Sequence, residues 1–433
     1  MKARRLLLLI FIAAILSVVT TSAQLAPYNN SAPMQQATTV PMLPGTAQPL
    51  AAVPGNQTDP HVGCGVTSWT TDELPGMSLI KFIDSARNLE LYIPGTGNDR
   101  LSDTDGRKIA FTISFEQKDQ LFVYDVVDQT TWPIPVVESV DPAIAGNQVV
   151  FVHPTSATAS EIDVFDLSAL KTIPITNDAL SNRAPAISPD GKVVVWEKCQ
   201  SNGVSCDIYA ATKTSEGTFA TRRLTDAGED RSADTNGQLV VYVSDKSGDN
   251  DVYLQRVDGS NEMHLALPGA QRNTHISGSL VSFESKTGFW WDVFLYDLSS
   301  ARLYQVTNTA RDESSSDVVA GCNGVNRIVY TTPGPYGDFD VWQFEFHTAK
   351  DQVNDLSTVV QSFNIPDGTK ASLSSKLQDA LTALEAGNTA TACDSLTAFI
   401  NASQAQSGKK LTAAQVRQLV DAAVQIKADI GCQ

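Results

Sequence analysis

Short apolar runs separated by polar turns recur along most of this chain. The most regular run starts at an acidic or polar residue and continues as alternating aliphatic and aromatic positions, as in Asp251-Val252-Tyr253-Leu254 and Asp292-Val293-Phe294-Leu295. Seven copies are anchored at Leu79, Gln120, Glu161, Asp207, Asp251, Asp292 and Asp340, which gives spacings of 41, 41, 46, 44, 41 and 48 residues. Runs of this length, bounded by Gly, Pro, Asn and Asp, predict short β-strands joined by turns.

Each repeat contains more than its anchor strand. About 20 residues before the anchor comes a phrase that ends in a turn, such as Asp141-Pro142-Ala143-Ile144-Ala145-Gly146, and an apolar run such as Val149-Val150-Phe151-Val152 follows it. After the anchor comes a more polar strand, for example Lys171–Thr176, whose proline suits an outermost position. Four strands in a period of about 40–50 residues are typical of a β-propeller blade. The predicted fold class is therefore mainly β, a seven-bladed β-propeller over residues 58–350.

The seventh repeat lacks a fourth strand, because a helical pattern begins soon after Phe346. The segment Ala37–Pro44 resembles the fourth strands of other repeats, so we predict that it supplies the outer strand of the last blade and leaves no open sheet edge. The alternative is a six-bladed ring in which residues 59–98 form an additional arm.

Two phrases carry a resemblance to a known family. Asp190-Gly191-Lys192-Val193-Val194-Val195-Trp196 and the segment from Ser244 to Tyr253 resemble TolB-like propeller repeats. The resemblance covers about residues 59–350. It implies the propeller fold but little about function, because this architecture carries many unrelated roles.

Beyond the repeats, apolar residues recur at helical spacing, as at Leu373, Leu377, Leu381 and Leu384. With stops at Gly387, Gly408 and Gly431, the pattern predicts four helices near residues 355–364, 369–386, 389–406 and 412–430. The run from Leu377 to Asn401 and the turn Gly408–Thr412 resemble FIMAH, a small helical module found at the end of secreted bacterial and archaeal proteins. We assign residues 353–433 to such a module.

Six cysteines favour disulfides over metal ligation in an exported chain. Six cysteines allow fifteen pairings, and the fold prediction selects one of them. Cys199 and Cys206 lie across one hairpin, while Cys64 and Cys322 occupy the same turn of the first and last blades. Cys393 and Cys432 lie at the same end of the helical module. The predicted disulfides are Cys64–Cys322, Cys199–Cys206 and Cys393–Cys432.

The amino terminus predicts export. Lys2, Arg4 and Arg5 precede an apolar stretch from Leu6 to Val19 and the small residues before Ala23, so residues 1–23 are predicted to be a signal peptide and residues 24–57 a linker that includes the closing strand. Removing three basic residues changes the net charge from −17 to −20. We therefore expect no binding to nucleic acid, no membrane insertion after cleavage, and a place in the periplasm, on the cell surface or in the medium.

Candidate catalytic residues are not evident. The sequence has no Gly-x-Ser-x-Gly motif, and His61, His153, His264, His275 and His347 lie in different repeats without paired spacing. We interpret these histidines as ordinary strand or surface residues, with a metal centre around the channel as the alternative. The loop Asp245–Asp251 has alternating oxygen ligands and could bind calcium, but a structural turn is the preferred interpretation. We predict no catalytic residues, no metal site and no cofactor, calcium excepted.

The predicted function is a non-enzymatic binding or scaffold propeller, with an extracellular or periplasmic protein or a glycan as its ligand. Phe289 and Trp290 lie in the loop before Asp292 and are the candidate ligand-binding residues, although packing between blades would explain them equally well. The alternative is a polysaccharide lyase or hydrolase that acts at the channel mouth. A structural component of the envelope and a periplasmic assembly factor also fit the sequence.

Overall fold

The computed structural model describes residues 40–95, 97–115, 118–200, 205–322 and 324–432. The predicted signal peptide and Ala37–Thr39 of the predicted closing strand lie outside these ranges. The described part is mainly β, with 28 strands followed by four helices. No helix in the described ranges is long and apolar enough to cross a membrane.

The strands form five four-stranded sheets and one eight-stranded sheet, in which a single parallel bridge between Ser160 and Ser181 joins two groups of four. Within each group of four, neighbouring strands are antiparallel, and we number the resulting seven units along the chain. Unit 1 contains β2 (Gln57–Gly63), β3 (Val66–Thr71), β4 (Leu79–Asp84) and β5 (Leu89–Tyr92). Unit 2 contains β6 (Asp99–Thr104), β7 (Lys108–Phe115), β8 (Lys118–Asp125) and β9 (Thr130–Val137). Unit 3 contains β10 (Val140–Ala145), β11 (Gln148–Pro154), β12 (Ser160–Asp166) and β13 (Lys171–Pro174). Unit 4 contains β14 (Ser181–Ile187), β15 (Val193–Cys199), β16 (Cys206–Lys213) and β17 (Phe219–Arg223). Unit 5 contains β18 (Asp230–Thr235), β19 (Leu239–Ser244), β20 (Asp251–Arg256) and β21 (Met263–Leu265). Unit 6 contains β22 (Gln271–Ser277), β23 (Leu280–Ser285), β24 (Asp292–Asp297) and β25 (Arg302–Gln305). Unit 7 contains β26 (Ser314–Cys322), β27 (Val325–Pro333), β28 (Phe339–Phe346) and, from the amino-terminal side, β1 (Thr46–Ala51).

Apolar side chains from neighbouring units pack against each other. Val241 and Val252 of unit 5 share a buried cluster with Ile276, Val281 and Phe283 of unit 6. Successive side chains of a strand point to opposite faces, so an apolar run such as β19 can contact both of its neighbouring units. The hydrophobic core is therefore divided into layers between successive sheets.

The prediction that the amino-terminal segment completes the last unit is confirmed, but the predicted strand is wrong. The pairing strand is β1, with Thr46 opposite Glu345 and Ala51 opposite Val341. Met42, which lies within the predicted strand, instead forms one parallel bridge to Gln305 at the outer edge of unit 6. Both segments contain proline, so composition did not distinguish them.

Gly45 permits the approach of this segment to unit 7. A Cβ atom on Gly45 would lie 2.4 Å from the Phe344 ring and 2.5 Å from the Glu345 carbonyl oxygen. Any side chain there would push β1 away from β28. The glycine therefore lets the chain pass from the edge of unit 6 to the edge of unit 7.

The four predicted helices are present as α1 (Ala349–Ser362), α2 (Asp367–Glu385), α3 (Thr389–Ala405) and α4 (Ala413–Asp429). The predicted start of the first helix, residue 355, is wrong by six residues. Thr348 and Asp351 form a capping box, and the buried side chains of Ala349 and Val353 extend the apolar face toward the amino end. Between them, Asp351 and Gln352 are half-buried and hydrogen-bond to other elements of the protein.

The helical module contacts the β units. The Tyr304 hydroxyl donates to the Asp429 carbonyl oxygen at 3.2 Å, and Asn326 Nδ2 donates to Asp351 Oδ2 at 2.6 Å. These contacts connect α4 and α1 to units 6 and 7.

All three predicted disulfides are present: Cys64–Cys322, Cys199–Cys206 and Cys393–Cys432. Each pair has Cα atoms between 3.9 and 5.6 Å apart. Three disulfides in one chain indicate an oxidising, extracytoplasmic environment.

Candidate functional site

The first strands of the seven units, β2, β6, β10, β14, β18, β22 and β26, surround a cavity of about 590 Å³. Carboxylates of Asp59, Asp103, Asp141, Glu197 and Asp234 line it, and no lysine or arginine is among its described lining residues. Ala143 and Ala186 also line it, in the same two units as Asp141 and Glu197. The cavity is therefore rich in carboxylates that no described lysine or arginine of its wall balances.

A repeated backbone irregularity places the side chains that face this cavity. Each first strand has a bulge against the second strand of its unit, beside a residue with positive φ. The residues with positive φ are Asp59, Leu101, Asp141, Ala184, Ser232, Asn273 and Ser315. Two positions after each of them lie, in order, His61, Asp103, Ala143, Ala186, Asp234, His275 and Asp317. The bulge thus puts one position of every repeat at the same level of the cavity.

Five of these seven side chains form a continuous series that we call the Asp–His arc: Asp234, His275, Asp317, His61 and Asp103. His275 Nδ1 lies 3.7 Å from Asp234 Oδ2 and 3.5 Å from Asp317 Oδ1. His61 Nδ1 lies 3.7 Å from Asp317 Oδ2 and 3.6 Å from Asp103 Oδ1. These separations exceed normal hydrogen-bond lengths, so the contacts are mainly electrostatic.

Burial and charge set the protonation of the arc in opposite directions. Burial alone lowers the pKa of His61, but Asp317, Asp59 and Asp103 outweigh burial and raise that pKa well above its ordinary value. Burial acts to raise the pKa of Asp317, yet contact with His61 and His275 holds it below its ordinary value. Burial raises the pKa of Asp234 to about 6, with only His275 and backbone N–H groups opposing it.

The three aspartates of the arc also connect neighbouring units. Asp103 Oδ2 accepts the Ile144 N–H at 2.7 Å, and Asp234 Oδ2 accepts the Ile276 N–H at 2.8 Å. Asp317 Oδ2 accepts the Val62 N–H at 2.8 Å. In each case a carboxylate of one unit binds the backbone of the next, and the third bond joins unit 7 to unit 1.

His61 and His275 lie in strands β2 and β22, and the structure places both beside Asp317, a proximity that the sequence analysis did not predict. Aligning the repeats could have indicated this proximity. Both histidines stand two positions after the residue with positive φ, and three other repeats have an aspartate at that same position. The other three histidines are peripheral. His153 contacts Asp163, His264 contacts Asp251, and His347 lies near Asp355.

The arc does not have the spacing of a preformed metal site. Among the described residues, only Glu197, Cys199 and Cys206 place three possible ligand atoms within 4.8 Å of one another, and the two cysteines are bonded to each other. In the loop Asp245–Asp251, the candidate calcium loop, Asp245 Oδ1 accepts the Glu229 N–H, and Asp251 Oδ2 contacts His264 Nε2 at 2.8 Å. These carboxylates thus have partners within the protein.

A second feature lies on the connections between the second and third strands. Four successive connections, those of units 6, 7, 1 and 2, present exposed apolar side chains that we call the apolar crescent: Phe289, Trp290, Tyr336, Phe339, Leu74, Met77 and Phe115. The described residues of the same connections in units 3, 4 and 5 are polar or small. Exposed apolar side chains clustered in this way are typical of an interaction surface.

Phe289 and Trp290 are part of this crescent, with 90% and 44% of their surfaces exposed. Their neighbour Trp291 is half-buried, and the Arg272 guanidinium lies 4.0 Å from its ring centroid. Trp291 therefore packs onto unit 6, while the two preceding aromatic residues face solvent.

Comparisons with known proteins identify the fold. No family model matches the chain, and no curated protein matches it. The β-propeller domain of the Trilobed protease from Pyrococcus furiosus, which has an open velcro topology, aligns with a TM-score of 0.54 and 13% identity over 67% of this chain and 95% of that domain. Pyrococcus horikoshii acylaminoacyl peptidase aligns with a TM-score of 0.52 and 11% identity over 68% of this chain.

A puromycin hydrolase aligns with a TM-score of 0.52 and 15% identity over 70% of this chain and 55% of that one. The chain thus spans about half the length of the two peptidase and hydrolase structures, at 52% and 55%. At these identities the likeness concerns the fold alone. The chain contains a β-propeller, of the architecture that is also found in these proteins.

Proposed function

We propose that this protein is an exported, non-enzymatic binding propeller that docks a partner protein on the apolar crescent. The observation that carries the proposal is that the connections of units 6, 7, 1 and 2 each present at least one exposed large apolar side chain, whereas the described residues of the same connections in units 3, 4 and 5 present none. In a monomeric soluble protein such side chains are usually scattered. The chain would be a TolB-like propeller with a FIMAH-type module, as its repeats and helices resemble.

The proposal includes a ring of seven blades. Support comes from the equivalent hydrogen bonds that Asp103, Asp234 and Asp317 make to the next unit. The outer strand β1 and the Cys64–Cys322 disulfide, which lie at opposite edges of unit 7, both join that unit to the amino-terminal part of the chain. With unit 7 next to unit 1, the four connections of the crescent become neighbours in one continuous series.

A protein partner fits the crescent better than a glycan. Sugar-binding surfaces rely on aromatic rings, whereas Leu74 and Met77 add flexible aliphatic surface that suits a protein interface. The four connections also extend over more of the face than a single aromatic pair would. Phe289 and Trp290 are then expected to be the residues that contribute most to affinity.

Site-specific photocrosslinking tests this proposal. A benzophenone amino acid at Trp290 in the full chain should give one saturable crosslinked protein in envelope and medium fractions of the host. Unlabelled wild-type protein should compete for it, and the Phe289→Ser/Trp290→Ser variant should compete at least tenfold less well.

The matched control is Val127→Ser/Leu170→Ser, which removes two exposed apolar residues from third-to-fourth-strand turns at the other end of the units. This variant should compete like the wild type. Equal competition by both variants would remove the crescent from the interface. Binding on a glycan array that is lost in Trp290→Ala would show that the ligand is a glycan instead.

A second candidate is a lyase or hydrolase acting on polysaccharide at the channel. The Asp–His arc favours it, because an imidazole next to carboxylates in a cavity can exchange protons with a bound substrate. Incubation of the purified protein with a polysaccharide panel, with and without divalent metal, tests this candidate. Cleavage that is lost in His61→Asn but kept in His153→Asn would establish it and overturn the non-enzymatic proposal.

A further inference from the structure

The junction between unit 7 and unit 1 is held by two different kinds of contact. A disulfide joins Cys64, directly after β2, to Cys322, the last residue of β26, with Cα atoms 5.2 Å apart. A short distance away, Asp317 of β26 accepts the Val62 N–H and lies between His61 of β2 and His275 of β22. One contact is covalent, and the other depends on charge.

The charge balance of the second contact depends on the two imidazoles. With both protonated, the arc has two positive charges alternating with the three carboxylates of Asp234, Asp317 and Asp103. With both neutral, these three carboxylates have no positive charge between them. Asp103 and Asp234 then line the cavity together with Asp59, Asp141 and Glu197, and no described lysine or arginine lines it. Like charges at this separation in a partly desolvated site repel one another.

We propose that the Asp–His arc is a proton-operated latch that closes the junction between units 7 and 1 in parallel with the Cys64–Cys322 disulfide. Protonated His61 draws Asp317 and Asp103 toward β2, which keeps the Asp317 carboxylate on the Val62 N–H. Loss of the proton leaves Asp317 between carboxylates and weakens that hydrogen bond. The disulfide holds the junction at any pH, so the latch becomes decisive when the disulfide is reduced or absent.

The direction of the pH effect follows from the protonation of the arc. The groups that face His61 are Asp59, Asp103, Asp141 and Asp317, and those that face His275 are Asp234 and Asp317. Because these carboxylates raise the pKa of His61, its contribution is present below the ordinary histidine pKa. The contribution is lost as the pH rises through the raised value. Closure should therefore be favoured at mildly acidic pH and weakened at alkaline pH.

Hydrogen exchange at single amides tests the latch in the Cys64→Ser/Cys322→Ser variant of the full chain. The Val62 amide reports the junction. The Leu167 and Leu298 amides donate to the backbone oxygens of Asn147 and Ser279, outside the arc, and serve as references. From pH 6 to pH 9, the protection factor of Val62 should fall by about tenfold more than those of Leu167 and Leu298, as expected for one pKa unit of linkage.

Adding His61→Asn and His275→Asn should remove this difference, whereas His153→Asn and His347→Asn at the periphery should leave it unchanged. Equal loss of protection at all three amides would mean global destabilisation and would overturn the latch. A difference that persists without His61 and His275 would overturn it too.

A second measurement uses the wild-type chain in case the serine variant does not fold. The imidazole signals of His61 and His275 are followed by NMR from pH 5 to 10. His61 should titrate well above an ordinary histidine, and Asp317→Asn should lower its midpoint by about one pH unit, a tenfold change in proton affinity. An ordinary midpoint for His61 in the wild type would contradict the proposal.

Discussion

The carboxylate of Asp317 accepts the backbone N–H of Val62 at 2.8 Å, although the two residues lie 255 positions apart. The bond repeats the geometry of Asp103 with Ile144 and of Asp234 with Ile276, which are 41 and 42 positions apart. Unit 7 is thus joined to unit 1 by the same kind of hydrogen bond that joins unit 2 to unit 3 and unit 5 to unit 6.

Replacing Asp317 should destabilise the protein. In Asp317→Ala the Val62 N–H loses its acceptor and both histidines lose a carboxylate, so we expect a loss of about 1–3 kcal/mol in the free energy of unfolding at pH 6. Urea denaturation monitored by tryptophan fluorescence measures this change. Asp128→Ala, at a side chain 62% exposed, should change it little, and equal effects of the two variants would contradict the role given to Asp317.

Removal of β1 should expose a sheet edge. Without Thr46–Ala51, the backbone groups of β28 that face β1 have no strand to pair with, and an unpaired edge promotes association between chains. A chain starting at residue 52 should form oligomers in size-exclusion chromatography with light scattering. A chain starting at residue 40, which keeps β1, is the control and should have the same oligomeric state as the full chain.

The disulfides should differ in their contribution to stability. Cys64–Cys322 closes a loop with a sequence separation of 258, whereas Cys199–Cys206 has a separation of 7. Chain entropy predicts losses of about 5 and about 2 kcal/mol when each pair is replaced by serine. Thermal unfolding of the two double variants tests the order; a larger loss for Cys199→Ser/Cys206→Ser would show that the long loop is restrained in other ways.

Neutralising Asp141 should stabilise the protein at high pH. Burial, and then the charge of Asp59, raise the pKa of Asp141 to about 6, so its ionised form is disfavoured in the folded state. This stabilising protonation is complete below the unfolded pKa near 4 and is lost as the pH rises through about 6.

We therefore expect Asp141→Asn to increase the free energy of unfolding by about 1–2 kcal/mol at pH 8. The gain should be small at pH 4, where the carboxyl group is already protonated. Chemical denaturation at both pH values measures this difference, with the exposed Glu216→Gln as the matched control. A gain of the same size at both pH values would mean that charge is not its cause.

Much of the fold could be predicted because its signals are local. The alternation of β20 and β24 and the spacing of Leu373, Leu377 and Leu384 reflect strand and helix geometry, which act over a few residues. The predicted boundaries of α2, α3 and α4 are within two residues of the observed ones. The Cys64–Cys322 disulfide could be predicted because the two cysteines have equivalent positions in the first and last repeats, and the other two because each lies within one hairpin or one helical module.

Other features depended on tertiary structure. The choice of β1 instead of Ala37–Pro44 required the close approach of Gly45 to Phe344, which no local pattern encodes. The early start of α1 depended on burial of Ala349 and Val353 against the rest of the module. The outward position of Phe289 and Trp290, beside the packed Trp291, was likewise open in the sequence.

The sequence by itself determined the repeated strands, the helical module and the pairing of the cysteines, because each of these follows from short-range periodicity or from repeat position. Only the tertiary structure decided that His61 and His275 share Asp317. These three residues come from different repeats, and their attraction operates only after the first strands surround a common cavity. Side-chain electrostatics act over a few ångströms in space, whatever the distance along the chain.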